Sequence, residues 1–309
     1  MTAPGRTTMS ALQWQLATDA ARHYEDVLVP AYLGPAARAV VAQVRPAPGE
    51  AVLDVGCGTG AAAREASRLV GPAGRVVGVD VNRYMLRVAR KVTGDGGGHG
   101  AGAIPGDITG HVAGDVSGHI TGDVSGHIAG DIDFREGDAR QLPFRDHGFD
   151  VAVCANTLQF VPERARAARQ LARVLRPGGR VGVGTWEAIE RNPYFEALAA
   201  AISSTMGVQV ATPLTSACTL GTPEELWGVL MAGGFTGVQV TKVTLDLVLP
   251  DLATFVPRHL ASTPMAAAFR GAGDEAVAAV VRDVEQALGG PGARAIPFRL
   301  LVATGTTPA

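Results

Sequence analysis

The sequence predicts an α/β fold in which helices cover both faces of a parallel sheet, followed by a helical cap. Three observations carry this reading. Between residues 51 and 186, short Val-rich runs alternate with stretches of helical spacing, the pattern of parallel strands joined by helical crossovers. The first strand runs into Gly56, Gly58 and Gly60 and then into a helix, so that backbone amides can approach a ligand at a helix N-terminus. Beyond residue 186 the alternation stops, and helical stretches surround two late strands.

Residues 11–44 carry apolar positions at helical spacing, broken at Pro30 and Pro35, and "RPAPGE" (45–50) turns the chain into the strand "AVLDVG". A helix over 61–70 leads to the strand "GRVVGVD" (74–80) and a helix over 82–92. After a glycine-rich stretch come the strands "IDFREGDA" (132–139) and "FDVAVCAN" (149–156), a helix over 162–175, the turn "RPGG" and the strand "RVGVGTW" (180–186). A helix over 223–232 ends at Gly233 and Gly234, a long strand covers 236–248, helices fill 251–288, and "IPFRLLVATG" (296–305) reads as a closing strand. The helices between the last two strands are too many for a hairpin, so they are expected to cap the sheet. Three regions follow: an N-terminal helical segment (1–50), a ligand-binding core (51–186) with an insertion over 94–133, and a cap with the closing strands (187–309).

At 309 residues and 47% apolar, the chain can bury a large core. A net charge of −2 gives no basic surplus for a phosphate-rich partner, so nucleic acid is not expected. Cys57, Cys154 and Cys218 are odd in number and lack Cys-x-x-Cys spacing, which fits reduced thiols in a cytoplasmic protein. The first 28 residues contain no apolar run of signal-peptide or membrane-span length.

The stretch "VLDVGCGTGAAA" satisfies the loose dinucleotide pattern G-x-G-x-x-G/A, and Asp80 lies twenty residues after Gly60, where an acid would hold ribose hydroxyls. Asp54 discriminates between ligands. A carboxylate beside the loop is awkward for a pyrophosphate but suits a cation such as the ammonium and sulfonium of S-adenosylmethionine. A third acid, Asp138 in "EGDA", ends the next strand, where it can accept from an adenine amino group.

With "VLDVGCGTG", "VVGVDVNRYMLRVAR", "EGDARQLPFRDHGFDVAV" and "RVLRPGGRV" in order, the chain resembles the class I S-adenosylmethionine-dependent methyltransferases. Within them it is most similar to the ubiquinone/menaquinone-type (methyltransferase type 11-like) small-molecule enzymes. Weaker similarity continues through "YEDVLVPAYLGP", "LASTPMA" and "IPFRLLVATG". The resemblance implies a doubly wound, seven-stranded, mostly parallel sheet of Rossmann-like methyltransferase type, its last strand antiparallel. It implies S-adenosyl-L-methionine as cofactor, with Asp54, Gly56, Cys57, Gly58, Thr59 and Gly60 around the methionine part and Asp80 on the ribose. Val81 and Met85 would lie against the adenine, Asp138 and Ala139 at its edge, and Asn156 at the methyl-transfer site.

Plainer roles stand beside these. Met85 occupies a helical core position, where packing accounts for it as well as adenine contact does. Cys57 has no nearby His or paired Cys to activate it, which fits a small buried side chain. His23, Tyr24, Gln159, Trp186, Tyr194 and His259 lie in segments expected to edge the pocket, and His23 or His259 is the candidate base if the acceptor must lose a proton. An activated phenol or quinol ring would require no strong base. The expected function is methylation, on carbon or oxygen, of a small apolar or aromatic molecule. An NAD(P)-dependent oxidoreductase of Rossmann type, and a non-catalytic binding protein on the same scaffold, stay open as alternatives.

From Gly94 to Gly130 a glycine recurs at every fourth position, usually followed by Asp or His, and four of the seven histidines fall in this stretch. Along an extended strand successive Asp and His stand about 13 Å apart, too far to share a metal bound at about 2 Å. A helix is penalised by about 1 kcal/mol for each glycine. Disorder or loose β-structure is therefore expected, without a metal, and the stretch joins a helix end to a strand start, the edge of a parallel sheet opposite its ligands.

Overall fold

The computed structural model describes residues 18–94 and 132–309. The glycine tetrads, apart from their ends, and the first 17 residues lie outside the described residues, and with them the expectations placed there.

Among the described residues, seven strands form one sheet in the order β3-β2-β1-β4-β5-β7-β6. They are β1 (Ala51–Val55), β2 (Arg75–Asp80), β3 (Ile132–Glu136), β4 (Phe149–Ala155), β5 (Leu175–Trp186), β6 (Thr236–Leu249) and β7 (Arg294–Thr306). β1 to β5 pair in parallel, while β7 runs antiparallel to both β5 and β6. The central strands are buried on both faces, which is why β1 and β4 read as nearly unbroken apolar runs rather than alternating ones. The strand order reverses between β1 and β4, and at such a switch point a crevice opens beyond the carboxyl ends of the strands.

The N-terminal helices cross this crevice. α1 (Thr18–His23) leads into a π-helical segment, Tyr24–Leu33, and then α2 (Gly34–Val44). Where the sequence predicts breaks at Pro30 and Pro35, the chain keeps its helical course. Pro30 sits inside the wider π turns, and Pro35 lies just beyond them in the first turn of α2, where the helix changes pitch. Asp19–Val44 is long and apolar enough to cross a bilayer on length and composition alone, but most of it is buried inside the fold. α2 presses close on β5, since a Cβ at Gly184 would come within 2.3 Å of the Val40 side chain.

α3 (Ala61–Val70), α4 (Arg83–Gly94) and α5 (Arg164–Val174) are the crossovers of the parallel half. Asn82 starts α4 by accepting from the amides of Tyr84 and Met85 at 2.9 and 3.3 Å. The expected turn at 176–179 is instead a bulge within β5. Leu175 pairs with Phe149 and pairing resumes at Arg180 with Val151, while Arg176 reaches the buried carboxylate of Asp150. After β5 come α6 (Pro193–Met206), α7 (Val208–Ser216) and α8 (Pro223–Ala232), the last opened by a Thr222–Glu225 capping box. α9 (Leu252–Ala261), α10 (Ala266–Ala272) and α11 (Asp274–Ala287) lie between β6 and β7, and α11 packs on both α6 and α9.

Candidate active site

The connection from β1 to α3 is a tight turn that spends most of its own amides. Gly56 and Cys57 donate to the Val79 carbonyl at 2.7 and 3.0 Å, Gly58 donates to Asp80 Oδ2 at 2.9 Å, and Gly60 donates to the Cys57 carbonyl at 2.8 Å. Gly56 has φ +70°, and a Cβ there would lie 2.1 Å from Thr157 Cγ2. Only glycine allows β1 to turn here while Thr157, at the end of β4, donates its hydroxyl to the Gly56 carbonyl at 3.0 Å. With these four amides consumed internally, the turn is poorly suited to cradle a pyrophosphate.

The three expected acids sit in different environments. Asp54 is buried at the end of β1, and its Oδ2 is without a partner among the described residues. Burial, reinforced by the nearby Asp80 charge, raises its pKa to about 7. Asp80 ends β2 and accepts from the amides of Gly58 and Asn82 at 2.9 and 2.7 Å. A carboxylate offers about four lone-pair sites, so Asp80 retains capacity for a ligand hydroxyl. Burial outweighs these bonds and raises its pKa as well. Asp138 lies two residues beyond the end of β3 rather than within the strand, and bridges to Gln141. Its carboxylate is clamped by the guanidinium of Arg140, at 2.6 Å, which holds its pKa below the usual range and leaves fewer lone pairs for an adenine amino group.

Two adjoining cavities open along these residues. The smaller touches Asp54, Gly56, Cys57, Gly58 and Thr59 on one side and Tyr24 and Asn156 on another. The larger is bordered by Asp80, Val81, Met85, Asp138, Ala139 and Asn156 and continues under the later helices to Trp186, Phe195 and His259. It encloses about 1370 Å³ with its open mouth included, and its lining runs from the acids at the strand ends to the aromatic side chains under the later helices. Gly60 starts α3 without reaching either cavity.

Unpartnered polar atoms mark what these cavities fit. Besides Asp54 Oδ2, the buried Thr59 Oγ1 and Asn156 Oδ1 around the smaller cavity lack hydrogen-bond partners among the described residues. An unsatisfied buried polar atom costs about 1–3 kcal/mol. A ligand with an amino group and further donors at this end removes that cost, which is the fit expected of the amino-acid part of S-adenosylmethionine. Cys57 is a packing residue, its thiol buried and its pKa pushed up by burial. Met85 is buried in the helix–sheet core yet still borders the larger cavity, and Val81 is exposed at the cavity rim.

Both candidate bases require correction. His23 is exposed on α1 and borders neither cavity, whereas its neighbour Tyr24 borders both. The helical phase of a single residue decides this, and the sequence left that phase open. His259 does border the larger cavity, but burial lowers its pKa to about 3, too weak a base to take a proton near neutral pH. Its Nδ1 lies 2.9 Å from the Tyr194 hydroxyl. Tyr24, Gln159 and Trp186 border the cavity as expected, while Tyr194 is buried behind it.

Sequence reasoning missed the ion pair of Glu25 and Arg64, 2.7 Å apart and mostly buried beside the glycine turn. Arg64 also donates to the Thr59 carbonyl at 2.7 Å. The two residues stand 39 positions apart in different elements, and no local pattern couples them. Tyr32, Trp186 and Phe195, packed edge-on against one another, form the apolar wall of the larger cavity, and Phe298 stacks on Tyr32 behind it. Only their aromatic character was visible beforehand.

Residues 53–183 match the family described as "Methyltransferase domain". Over 133 residues the chain is 36% identical to the ubiquinone/menaquinone biosynthesis C-methyltransferase UbiE of Hahella chejuensis, covering 43% of this chain and 41% of that one. The UbiE of Ectopseudomonas oleovorans is 37% identical over 132 residues, 60% of its length. The similarity thus spans less than two thirds of these relatives. The crystal structure of the YcgJ protein from Bacillus subtilis shares the fold, with a TM-score of 0.52 over 88% of this chain and 98% of that one at 18% identity.

Proposed function

We propose that this chain, whose residues 53–183 match the methyltransferase domain family, is a class I S-adenosylmethionine-dependent methyltransferase that methylates a small, uncharged aromatic or largely apolar molecule bound beneath the later helices. The observation that carries the proposal is the buried Asp54 carboxylate with an unpartnered oxygen, set beside a glycine turn whose amides are already spent. That combination favours a cationic ligand over the pyrophosphate an oxidoreductase cofactor would bring. Bound S-adenosylmethionine supplies an electrophilic methyl group on a sulfonium. The chain's own work is to hold and exclude. Asp80 would accept from ribose hydroxyls, Asp54 would meet the ammonium, Val81, Met85 and Ala139 would flank the adenine, and Asn156 would border the transfer site.

Methyl transfer needs alignment and exclusion of water, plus a base only when the acceptor holds its proton tightly. With His259 so weak a base, an electron-rich ring carbon or an acidic hydroxyl is the fitting acceptor. The C-methyltransferase names of the relatives support carbon. Three buried free cysteines support action in a reducing compartment such as the cytoplasm. The domain division proposed is a helical segment to residue 50, a cofactor core over 51–186 and a cap with closing strands over 187–309. Calorimetry with S-adenosylhomocysteine tests the proposal. Asp80→Ala is expected to weaken binding about 10- to 100-fold, the worth of charged hydrogen bonds. No binding, or binding indifferent to Asp80→Ala, would overturn it, as would comparable binding of NADH.

A further inference from the structure

The larger cavity contains two polar features that the cofactor reading leaves unused. Gln159 sits on the short helical turn Leu158–Phe160 that follows β4. Its backbone is pinned, the carbonyl accepting from Arg164 Nη2 at 3.0 Å and Thr219 Oγ1 at 3.2 Å. Its side chain is only 4% exposed, and neither Nε2 nor Oε1 has a partner among the described residues. A buried amide that borders a cavity and offers both a donor and an acceptor is built for a ligand rather than for packing.

The second feature comes from α6 and α9. The buried Tyr194 hydroxyl has His259 Nδ1, 2.9 Å away, as its hydrogen-bond partner. A phenol has one proton to donate, and donation to Nδ1 satisfies both groups. The neutral imidazole then carries its own proton on Nε2. His259 borders the cavity, and that N–H is the donor its ring has left to offer a ligand. Around these groups the wall is Tyr32, Trp186, Phe195 and Leu214, and the charged side chains that line the cavity, Asp80, Asp138 and Arg140, belong to its cofactor end.

We propose that Gln159 and the Tyr194–His259 pair select the acceptor, and that it is an uncharged aromatic ring bearing a hydroxyl or carbonyl oxygen that these two groups hydrogen-bond. The inference rests on the methyltransferase reading above. In the full chain saturated with S-adenosylhomocysteine, 2-naphthol and naphthalene serve as probes of equal shape that differ in one oxygen. Wild type is expected to bind 2-naphthol about tenfold more tightly, one hydrogen bond's worth. Gln159→Leu and Tyr194→Phe should each bring that ratio toward one, with naphthalene and S-adenosylhomocysteine affinities kept. A lost fold would lower all three affinities together, and Gln159→Met then replaces the leucine variant. S-adenosylhomocysteine binding without a preference for 2-naphthol, or a preference that survives both substitutions, would overturn the inference. Absence of S-adenosylhomocysteine binding in wild type would instead strike the cofactor reading.

Discussion

Asp54 carries a cost that a ligand can remove. Its pKa of about 7, raised chiefly by burial, stands above the ordinary aspartate value, so the folded state binds a proton more tightly than the unfolded state. Its contribution to stability is full below about pH 4 and declines as pH rises toward the folded pKa. Asp80, shifted in the same direction, adds to that slope. An ammonium placed against Asp54 Oδ2 favours the charged carboxylate, so binding near pH 6.5 should expel protons. Calorimetry with S-adenosylhomocysteine in two buffers of different ionisation heat is expected to show a substantial fraction of a proton released by wild type and less by Asp54→Asn. The same variant should flatten the pH dependence of denaturant unfolding between about pH 4 and 7 while weakening the ligand at least about tenfold, the loss of a charged contact. Equal proton release in both proteins would remove Asp54 from the ammonium site. The sequence marked Asp54, Asp80 and the glycines because their roles depend on backbone position, which a strand followed by a turn fixes locally. His23 and His259 were misjudged because their roles depend on helical phase and on burial by other elements.

The elements meet at the glycine turn through Arg64, which reaches from α3 to Glu25 on the π-helical segment and to the Thr59 carbonyl. With side-chain exposures of 12% and 13%, this pair is shielded enough that losing one partner strands the other. Arg64→Met should therefore cost about 2–3 kcal/mol of stability. Amide exchange should rise first over residues 18–33, which have few contacts with the sheet, and least in β1 and β4. A uniform rise across all strands would show that the N-terminal helices are not a separately opening unit. Periodicity revealed a helical region here, whereas the breaks expected at Pro30 and Pro35 do not occur. It did not reveal the π turns, because these keep Pro30 in a helix by adjusting its pitch, and nothing in single-residue preference encodes that choice.

For the molecule as a whole, the parallel half was readable because each βα unit buries its strand completely and so writes an apolar run bounded by turn residues. The cap was readable as helices but not as walls, since the meeting of Tyr194 with His259 and of Phe195 with Phe298 is a product of long-range packing. Topology also yields a test of the glycine tetrads. The candidate site is built from the carboxyl ends of β1, β2 and β4 and the turn after β3, whereas α4 ends at Gly94 and β3 begins at Ile132, at the opposite edge of the sheet. β3 pairs with β2 over Ile132–Glu136, and five pairs of parallel partners hold it there. A helix-to-strand connection of this kind closes with about 2–6 residues. Joining Gly94 to Ile132 through a short linker should thus leave the sheet and the site intact. S-adenosylhomocysteine affinity is expected to stay within about twofold of wild type, as for sites that share no partners. A larger loss in calorimetry would mean that the tetrads reach round the sheet to the cofactor. Intact cofactor binding with lost discrimination between 2-naphthol and naphthalene would place them at the acceptor end instead.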